Sequence, residues 1–106
     1  MPQPKLMPRE LEQTLDALPA WTLNESATSI SRTLRFANFS EAFAIMTRVA
    51  LAAEKADHHP DWSNSWNKVE ISLTTHSAGG LTRLDTDLAR TIDSLAPPLA
   101  SPAAAD

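Results

Sequence analysis

Two of the three helices predicted for this chain are outlined by leucine and isoleucine positions at helical spacing. The first begins at Pro8, because proline is well tolerated at the first position of a helix, and Pro19 ends it. The last helix follows TRLD at residues 82–85, which has the spacing of a capping box with Asp in place of Glu. The apolar positions are Leu11, Leu15 and Leu18 in the first helix, and Leu81, Leu84, Leu88, Ile92 and Leu95 around the last.

The middle of the chain contains the longest predicted helix, at residues 41–56, with Ser40 as its N-cap. Pro60 cannot continue that helix and forces His59 out of helical geometry. One apolar stripe consists of Phe39, Phe43, Met46, Ala50 and Ala53, and it is widened by Ala42, Ile45, Val49 and Ala52. So wide an apolar stripe predicts that the helix packs against a sheet.

Alternating apolar and polar residues predict four short strands. They are residues 21–24, 28–36, 61–66 and 69–74, and Asn67-Lys68 is the predicted hairpin turn between the last two. The element order is then α-β-β-α-β-β-α. It predicts an α+β fold, in which a four-stranded antiparallel sheet has three helices packed on one face. The other face is left for solvent, a ligand or another subunit.

The length of 106 residues fits one domain, which we place at residues 8–96. We expect a flexible N-terminal arm at residues 1–7 and a disordered tail rich in proline and alanine at residues 97–106. A hydrophobic content of 42% is enough for one small core. The small core and an exposed sheet edge favour self-association, as a homodimer or a homotetramer.

Charge and composition narrow the classes of function. The formal net charge of −4 and the lack of a basic run argue against nucleic-acid binding. Without cysteine the chain can form no disulfide, no thiolate nucleophile and no cysteine-based zinc site. The N-terminus has no apolar signal region, and no segment approaches the ~20 apolar residues of a membrane span. We therefore expect a cytoplasmic protein that binds neither nucleic acid nor a membrane.

The candidate chemistry lies in His58, His59 and His76, which are the only histidines in the sequence. The first two occur together in DHHPDW, just past the central helix, and the third follows a predicted strand. Imidazole is the side chain that most readily gives and takes protons near neutral pH. Three histidines at one edge of the fold indicate either a proton-transfer site or a metal site.

The same region resembles the pterin-4a-carbinolamine dehydratase family, which is also called the dimerisation cofactor of hepatocyte nuclear factor 1 family. The resemblance covers residues 8–95 and is densest from residue 43 to residue 92. It is carried by DHHPDW at 57–62, NKV at 67–69, TTH at 74–76, and GLT at 80–82 followed by Asp85. HHP alone would be a weak signal, whereas HHP-x-W with the third histidine at this spacing is specific.

The resemblance implies the same fold and a defined reaction. Family members remove water from 4a-hydroxytetrahydropterin and regenerate quinonoid dihydropterin, which links them functionally to an aromatic amino-acid hydroxylase. They need no metal and no organic cofactor, and they assemble as dimers or tetramers. The positions implied as catalytic are His58, His59, His76 and Asp85. We expect the pterin substrate to contact the three histidines and Trp62.

Simpler interpretations stand beside this one. Asp85 could act only as the cap of the last helix, a contribution of about 1 kcal/mol, and Trp62 is by residue type more often a core or interface residue. Zinc held by the histidines with Asp57 or Asp61 is an alternative, but adjacent histidine side chains diverge in most backbone conformations. The remaining alternative is a non-enzymatic interaction module, and the presence of all three histidines favours the enzyme.

Overall fold

Three α-helices and a four-stranded sheet make up the computed structural model, which describes residues 3–96. The bounds are α1 Pro8–Asp16, β1 Thr22–Leu23, β2 Ile30–Arg35, α2 Phe39–Ala56, β3 Asp61–Ser65, β4 Lys68–Leu73 and α3 Arg83–Leu95, with a short 3-10 helix at His76–Ala78. The predicted order α-β-β-α-β-β-α and the α+β fold are confirmed. The predicted tail at 97–106 lies outside the described residues.

The sheet is antiparallel throughout, with the strand order β1-β2-β4-β3. In the middle of the sheet, Ile71 of β4 lies between Arg32 of β2 and Trp62 of β3. The buried side chains of β2 and β4 are Ile30, Leu34, Val69, Ile71 and Leu73. They share one face of the sheet because side chains alternate along a strand, and the helices cover this face. The opposite face is polar and open, as predicted.

Only part of the wide apolar surface predicted for α2 is buried. The Phe39 and Phe43 rings, expected against the sheet, are 46% and 57% exposed and pack on each other with centroids 5.6 Å apart. The buried positions are Ala42, Ile45, Val49 and Ala53. Alanines on this face allow α2 to approach β4 and α3 closely. Helical periodicity alone could not choose between two overlapping apolar stripes.

The N-cap of α2 is Asn38 rather than the predicted Ser40. The Asn38 side chain accepts a hydrogen bond from the Glu41 backbone N–H at 2.9 Å. The Glu41 side chain in turn accepts from the Ala37 N–H at 2.9 Å. These bonds satisfy backbone donors at the helix start and just before it. The helix therefore begins two residues earlier than a cap at Ser40 would place it.

The hairpin turn between β3 and β4 lies one residue earlier than predicted, at Trp66-Asn67, because Ser65 pairs with Lys68. Trp66 adopts a left-handed φ of 51°, which two-residue hairpin turns require at their first position. The Asn64 side chain supports this conformation by donating to the carbonyl oxygens of Trp66 at 3.1 Å and Lys68 at 2.9 Å. A tryptophan in such a conformation is not expected from turn propensities.

Arg32 is the one charged residue on the inward face of β2, and it is neutralised at the rim of the core. Its guanidinium pairs with Asp93 of α3, whose carboxylate also accepts from Trp21 Nε1 at 2.9 Å. Burying this charge therefore costs little free energy. The same contacts join β2, α3 and the segment after α1.

The start of the chain contacts the loop that precedes α3. The backbone N–H of Leu6 donates to the Leu81 carbonyl oxygen at 2.8 Å, and the Leu6 side chain is half-buried against the core. This contact lies within the segment predicted as an arm. Along residues 3–96, no helix has both the length and the apolar character that a membrane crossing needs.

Candidate active site

The end of α2 turns His58 into the protein. Asp57 adopts the left-handed conformation, with φ 53° and ψ 42°, which aspartate tolerates better than most residues. The Asp57 N–H then donates to the Glu54 carbonyl oxygen at 3.2 Å, and the His58 N–H donates to that of Ala53 at 3.1 Å. This pair of bonds is a Schellman motif. It reverses the chain direction and leaves His58 only 9% exposed.

The start of α3 brings Asp85 to the same place. The Thr82 side chain accepts from the Leu84 N–H at 3.1 Å, and Asp85 Oδ2 accepts from the Thr82 N–H at 3.0 Å. The predicted capping box is therefore confirmed. Asp85 is fully buried, and the N-terminal end of the helix dipole favours a carboxylate at this position.

His58 and Asp85 form a buried pair in which the His58 Nε2 and Asp85 Oδ1 atoms are 2.5 Å apart. When Asp85 is ionised it can only accept, so this contact then requires the ring proton on Nε2. Within residues 3–96, His58 Nδ1 has no hydrogen-bond partner, and no buried side-chain nitrogen or oxygen lacks one. The His58 side chain is 10% exposed, so Nδ1 is the ring nitrogen that remains for a ligand.

A third side chain, which the sequence reasoning missed, completes the surroundings of Asp85. The Thr75 hydroxyl donates to Asp85 Oδ2 at 2.7 Å and lies 2.8 Å from the Thr82 hydroxyl oxygen. Thr75 is buried, two residues past the end of β4. Its position in TTH marked it as part of a motif, and it continues the alternation of the buried residues Val69, Ile71 and Leu73. Strand periodicity therefore indicates an inward side chain, but it could not show that the hydroxyl bonds to Asp85.

The other two predicted histidines are exposed. His59 Nε2 lies 2.9 Å from Glu54 Oε1, with the two side chains 59% and 79% exposed. His76 Nε2 lies 3.7 Å from Asp61 Oδ2, at the surface. Neither Glu54 nor Asp61 was placed in the proton-transfer site by sequence reasoning, because their proximity arises only from the turn after α2 and from the loop after β4.

The predicted site residues are brought together in part. His58 contacts Asp85 directly, His59 adjoins His58 in sequence, and His76 adjoins Thr75, which bonds to Asp85. No hydrogen bond within residues 3–96 joins one imidazole to another. Each histidine has its own acidic partner, and only His58 contacts the buried carboxylate of Asp85.

Trp62 is half-buried on β3 and packs against the core. A shallow groove over residues 31–33, 61–63 and 70–72 includes Trp62 but none of the histidines. Contact between Trp62 and a pterin therefore stays a prediction, and the packing agrees with the simpler interpretation of Trp62 as a core residue.

The alternative of a metal site requires several ligands around one point. In the part of the chain from residue 3 to residue 96, no group of three or more His, Cys, Asp or Glu side chains could hold a metal ion. Asp61 approaches His76, whereas Asp57 forms the exposed left-handed end of α2. The geometry pairs imidazoles with single carboxylates, an arrangement suited to orienting rings for proton transfer.

Comparisons with known proteins agree with the resemblance. The family model described as pterin 4 alpha carbinolamine dehydratase matches residues 4–95. A protein of Rhizorhabdus wittichii, provisionally named pterin-4-alpha-carbinolamine dehydratase, is 55% identical over 91 residues, which are 86% of this chain and 94% of that protein. A protein of Novosphingobium aromaticivorans with the same provisional name is 51% identical over 90 residues, which are 85% and 94% of the two chains.

Two solved structures share the fold. A transcriptional coactivator/pterin dehydratase from Brucella melitensis has a TM-score of 0.84 at 41% identity, covering 88% of this chain and 99% of its own. A pterin dehydratase-like protein described as a RuBisCO assembly factor in the alpha-carboxysome has a TM-score of 0.63 at 19% identity, covering 73% and 89%. The second likeness shows the fold alone.

Proposed function

We propose that this chain, which belongs to the pterin 4 alpha carbinolamine dehydratase family, removes water from 4a-hydroxytetrahydrobiopterin to give the quinonoid dihydropterin. The observation that supports this activity most directly is the buried pair of His58 and Asp85. It holds one imidazole in a fixed orientation with a ring nitrogen at the surface, where exposed imidazoles of His59 and His76 can act on the same ligand.

The reaction requires two proton transfers. The bond between C4a and its hydroxyl oxygen breaks while the neighbouring ring nitrogen forms a double bond to C4a. A base takes the proton of that nitrogen, and an acid delivers a proton to the hydroxyl, which leaves as water. Atoms and charge balance without an oxidant or reductant, and each positioned acid or base contributes roughly 10²–10⁴-fold to the rate.

The three histidines can divide this work. His58 transfers a proton through Nδ1, because its Nε2 is occupied by Asp85. His59 and His76, exposed and free to adjust, bind the pterin and carry out the second transfer. Asp85 takes no proton from the substrate, since it is fully buried behind His58, and its role is to orient the ring.

The substrate places the protein in a metabolic context. A 4a-hydroxytetrahydropterin is formed when an aromatic amino-acid hydroxylase consumes its pterin, so the proposed reaction recycles that cofactor. We expect the protein to work beside such a hydroxylase in the cytoplasm, with no metal and no organic cofactor of its own.

The test is a coupled hydroxylase assay, in which ultraviolet absorbance follows the dehydration of 4a-hydroxytetrahydropterin by purified protein treated with a chelator. The wild-type protein should accelerate the reaction. His58→Ala, His59→Ala and His76→Ala should each lower the rate, and the pH profile of His58→Ala should differ from that of the wild type because His58 exchanges a proton with the substrate. Ser77→Ala, which changes an exposed neighbour of His76, is the matched control.

Two outcomes would contradict the proposal. Full activity in the double variant His59→Ala/His76→Ala would show that the histidine site is not used. Activity that appears only after zinc is added would replace direct proton transfer by metal chemistry.

A non-enzymatic role is the second candidate, since a fold neighbour is described as a RuBisCO assembly factor. That neighbour is 19% identical, so its likeness to this chain is one of fold. Wild-type protein that is folded but leaves the dehydration rate unchanged would favour this candidate over the enzyme.

We further propose that the chain forms a homodimer or a homotetramer. The unpaired edge of β3 and the exposed apolar side chains of Phe39, Phe43 and Leu51 on α2 support self-association, because both kinds of surface are protected by pairing. Light scattering at micromolar concentration should give a multiple of 11.5 kDa. A protein that remains an 11.5 kDa monomer would contradict the proposal.

A further inference from the structure

We propose that Thr75 is a positioning residue of the candidate site: its hydroxyl holds the Asp85 carboxylate in the orientation that fixes His58 as the Nε2–H tautomer. The inference rests on the proposed function for its effect on catalysis, but the tautomer itself is independent of any activity. Neither the family match nor the capping box accounts for this contact.

The Asp85 carboxylate is held at both of its oxygens. Oδ1 lies 2.5 Å from His58 Nε2, while Oδ2 accepts from the Thr75 hydroxyl at 2.7 Å and from the Thr82 N–H at 3.0 Å. Rotation of the carboxylate would break bonds on both sides. A capping box needs only the contacts with Thr82, so the bond from Thr75 is an additional restraint on the carboxylate.

The direction of these bonds follows from counting protons. The single hydroxyl proton of Thr75 is donated to Asp85, so the Thr82 hydroxyl must donate to the Thr75 oxygen across their 2.8 Å contact. The Thr82 oxygen accepts in turn from the Leu84 N–H at 3.1 Å. The chain of donors therefore runs from the start of α3 towards the carboxylate, and hydrogen bonds in such a chain strengthen one another.

Burial favours one arrangement of these hydrogen bonds. Thr75 is 5% exposed and Thr82 and Asp85 are fully buried, so water cannot replace a missing hydroxyl at low cost. Because Oδ2 is held by Thr75 and the Thr82 N–H, Oδ1 stays directed at His58 Nε2 and accepts from it. The His58 proton then stays on Nε2, and Nδ1 presents its lone pair at the surface.

The loop between β4 and α3 is what brings the two threonines together. The Thr75 N–H donates to the Gly80 carbonyl oxygen at 3.0 Å, which closes the loop. Gly79 has a φ of 74°, a conformation that favours glycine. The loop thus returns the chain to the level of Thr75 just before α3 begins.

The test uses two substitutions of Thr75 and one matched control. Thr75→Val keeps the shape but removes the donor, whereas Thr75→Ser keeps the donor. Thr74→Val changes the neighbouring threonine, whose hydroxyl donates to the Thr28 carbonyl oxygen and not to Asp85. The two readouts are the ¹⁵N chemical shifts of the His58 ring nitrogens, measured without substrate, and the kcat and KM for 4a-hydroxytetrahydropterin.

The wild type, Thr75→Ser and Thr74→Val should show a protonated Nε2 and an unprotonated Nδ1 on His58. Thr75→Val should show a mixture of tautomers and a kcat lowered about tenfold or more, the factor expected when a hydrogen bond to a charged group is lost. KM should change little, because buried Thr75 does not touch the substrate. If Thr75→Val does not fold, Thr75→Ala is read in the same way.

A wild-type His58 protonated on Nδ1, or a Thr75→Val variant with an unchanged tautomer and an unchanged kcat, would overturn the inference. A loss of kcat in Thr75→Ser equal to that in Thr75→Val would also overturn it, because the donor would not be what matters. The expected tautomers in a protein without dehydratase activity would support the role of Thr75 and contradict the proposed reaction instead.

Discussion

His58 and His59 are neighbours in the sequence, yet the fold treats their side chains in opposite ways. The His58 side chain is 10% exposed and bonds to a fully buried carboxylate, whereas the His59 side chain is 59% exposed and pairs with a carboxylate that is itself 79% exposed. His76 resembles His59, since both it and Asp61 are exposed.

The difference in burial suggests different roles for the two kinds of histidine–carboxylate pair. A buried charge-assisted hydrogen bond fixes a ring before the ligand arrives, and it is strengthened by the low local dielectric. Exposed ion pairs contribute little to stability and are weakened by salt. The imidazole rings of such pairs can therefore move when a ligand binds. We therefore expect the His58 pair to affect mainly the rate of proton transfer. The exposed histidines should affect both substrate binding and proton transfer.

The largest expected effect is that of Asp85→Asn. The amide oxygen can still accept from Thr75 and Thr82, but its NH₂ group would face His58 Nε2 and force the ring proton onto Nδ1. We expect kcat to fall roughly 10²–10⁴-fold, with a much smaller loss of thermal stability. Steady-state kinetics and thermal unfolding measure the two effects.

Asp87→Asn is the matched control, because Asp87 is exposed on the same helix. It should leave both quantities unchanged. Undiminished turnover and wild-type stability in Asp85→Asn would reduce Asp85 to a helix cap.

A smaller effect is expected from His59→Ala and His76→Ala. Both residues are exposed, so each substitution should change the free energy of unfolding by less than about 0.5 kcal/mol. Each should lower kcat/KM about tenfold or more through lost contacts and proton transfer, which stopped assays at several substrate concentrations would measure. A stability loss as large as the catalytic loss would show that these rings are structural.

Glu54→Gln and Asp61→Asn should change the rate less than about fivefold, because exposed ion pairs contribute little. Raising the salt concentration to about 0.5 M should reproduce much of the same small loss in the wild type, since salt screens exposed charges. The same salt should leave the effect of Asp85→Asn unaltered. A salt-sensitive Asp85 effect would contradict the difference in burial on which the comparison depends.

Asp57→Gly should have the smallest effect on the rate. Glycine accepts the left-handed conformation at the end of α2, so the direction of His58 should be kept and the unfolding free energy should not fall by more than about 1 kcal/mol. Asp57→Val, whose branched side chain is strained there, should lower both stability and rate. Chemical denaturation and the dehydration assay distinguish the two variants, and a rate loss in Asp57→Gly would mean that Asp57 has a role beyond the turn.

Much of the fold follows from local sequence signals, and the capping box of Thr82 with Asp85 is an example in which the residues that form it are near in sequence. The limits of the buried face of α2 did not follow, because Phe39 and Phe43 are as apolar as the alanines and aliphatic residues that pack inside. Choosing between the two faces requires the tight spacing between α2, β4 and α3.

The site shows the same limit. The motifs indicated His58, His59, His76 and Asp85 as a set, but not that Asp85 pairs with His58 alone. That pairing depends on the left-handed turn after α2 and on the loop before α3. Long-range contacts of this kind have no periodic signal in one sequence. Thr75 shares the alternation of the buried β4 residues, but its bond to Asp85 has no such signal.

The most direct test of the central claim, that His58 and Asp85 act as one unit in proton transfer, is a double-mutant cycle on kcat. It compares wild type, His58→Gln, Asp85→Asn and the double variant in the dehydration assay. If the two residues act together, the double variant should be slower than the slower single variant by no more than about threefold. Losses that instead multiply, to roughly 10⁴-fold or more, would mean that the two residues act independently and would contradict the account.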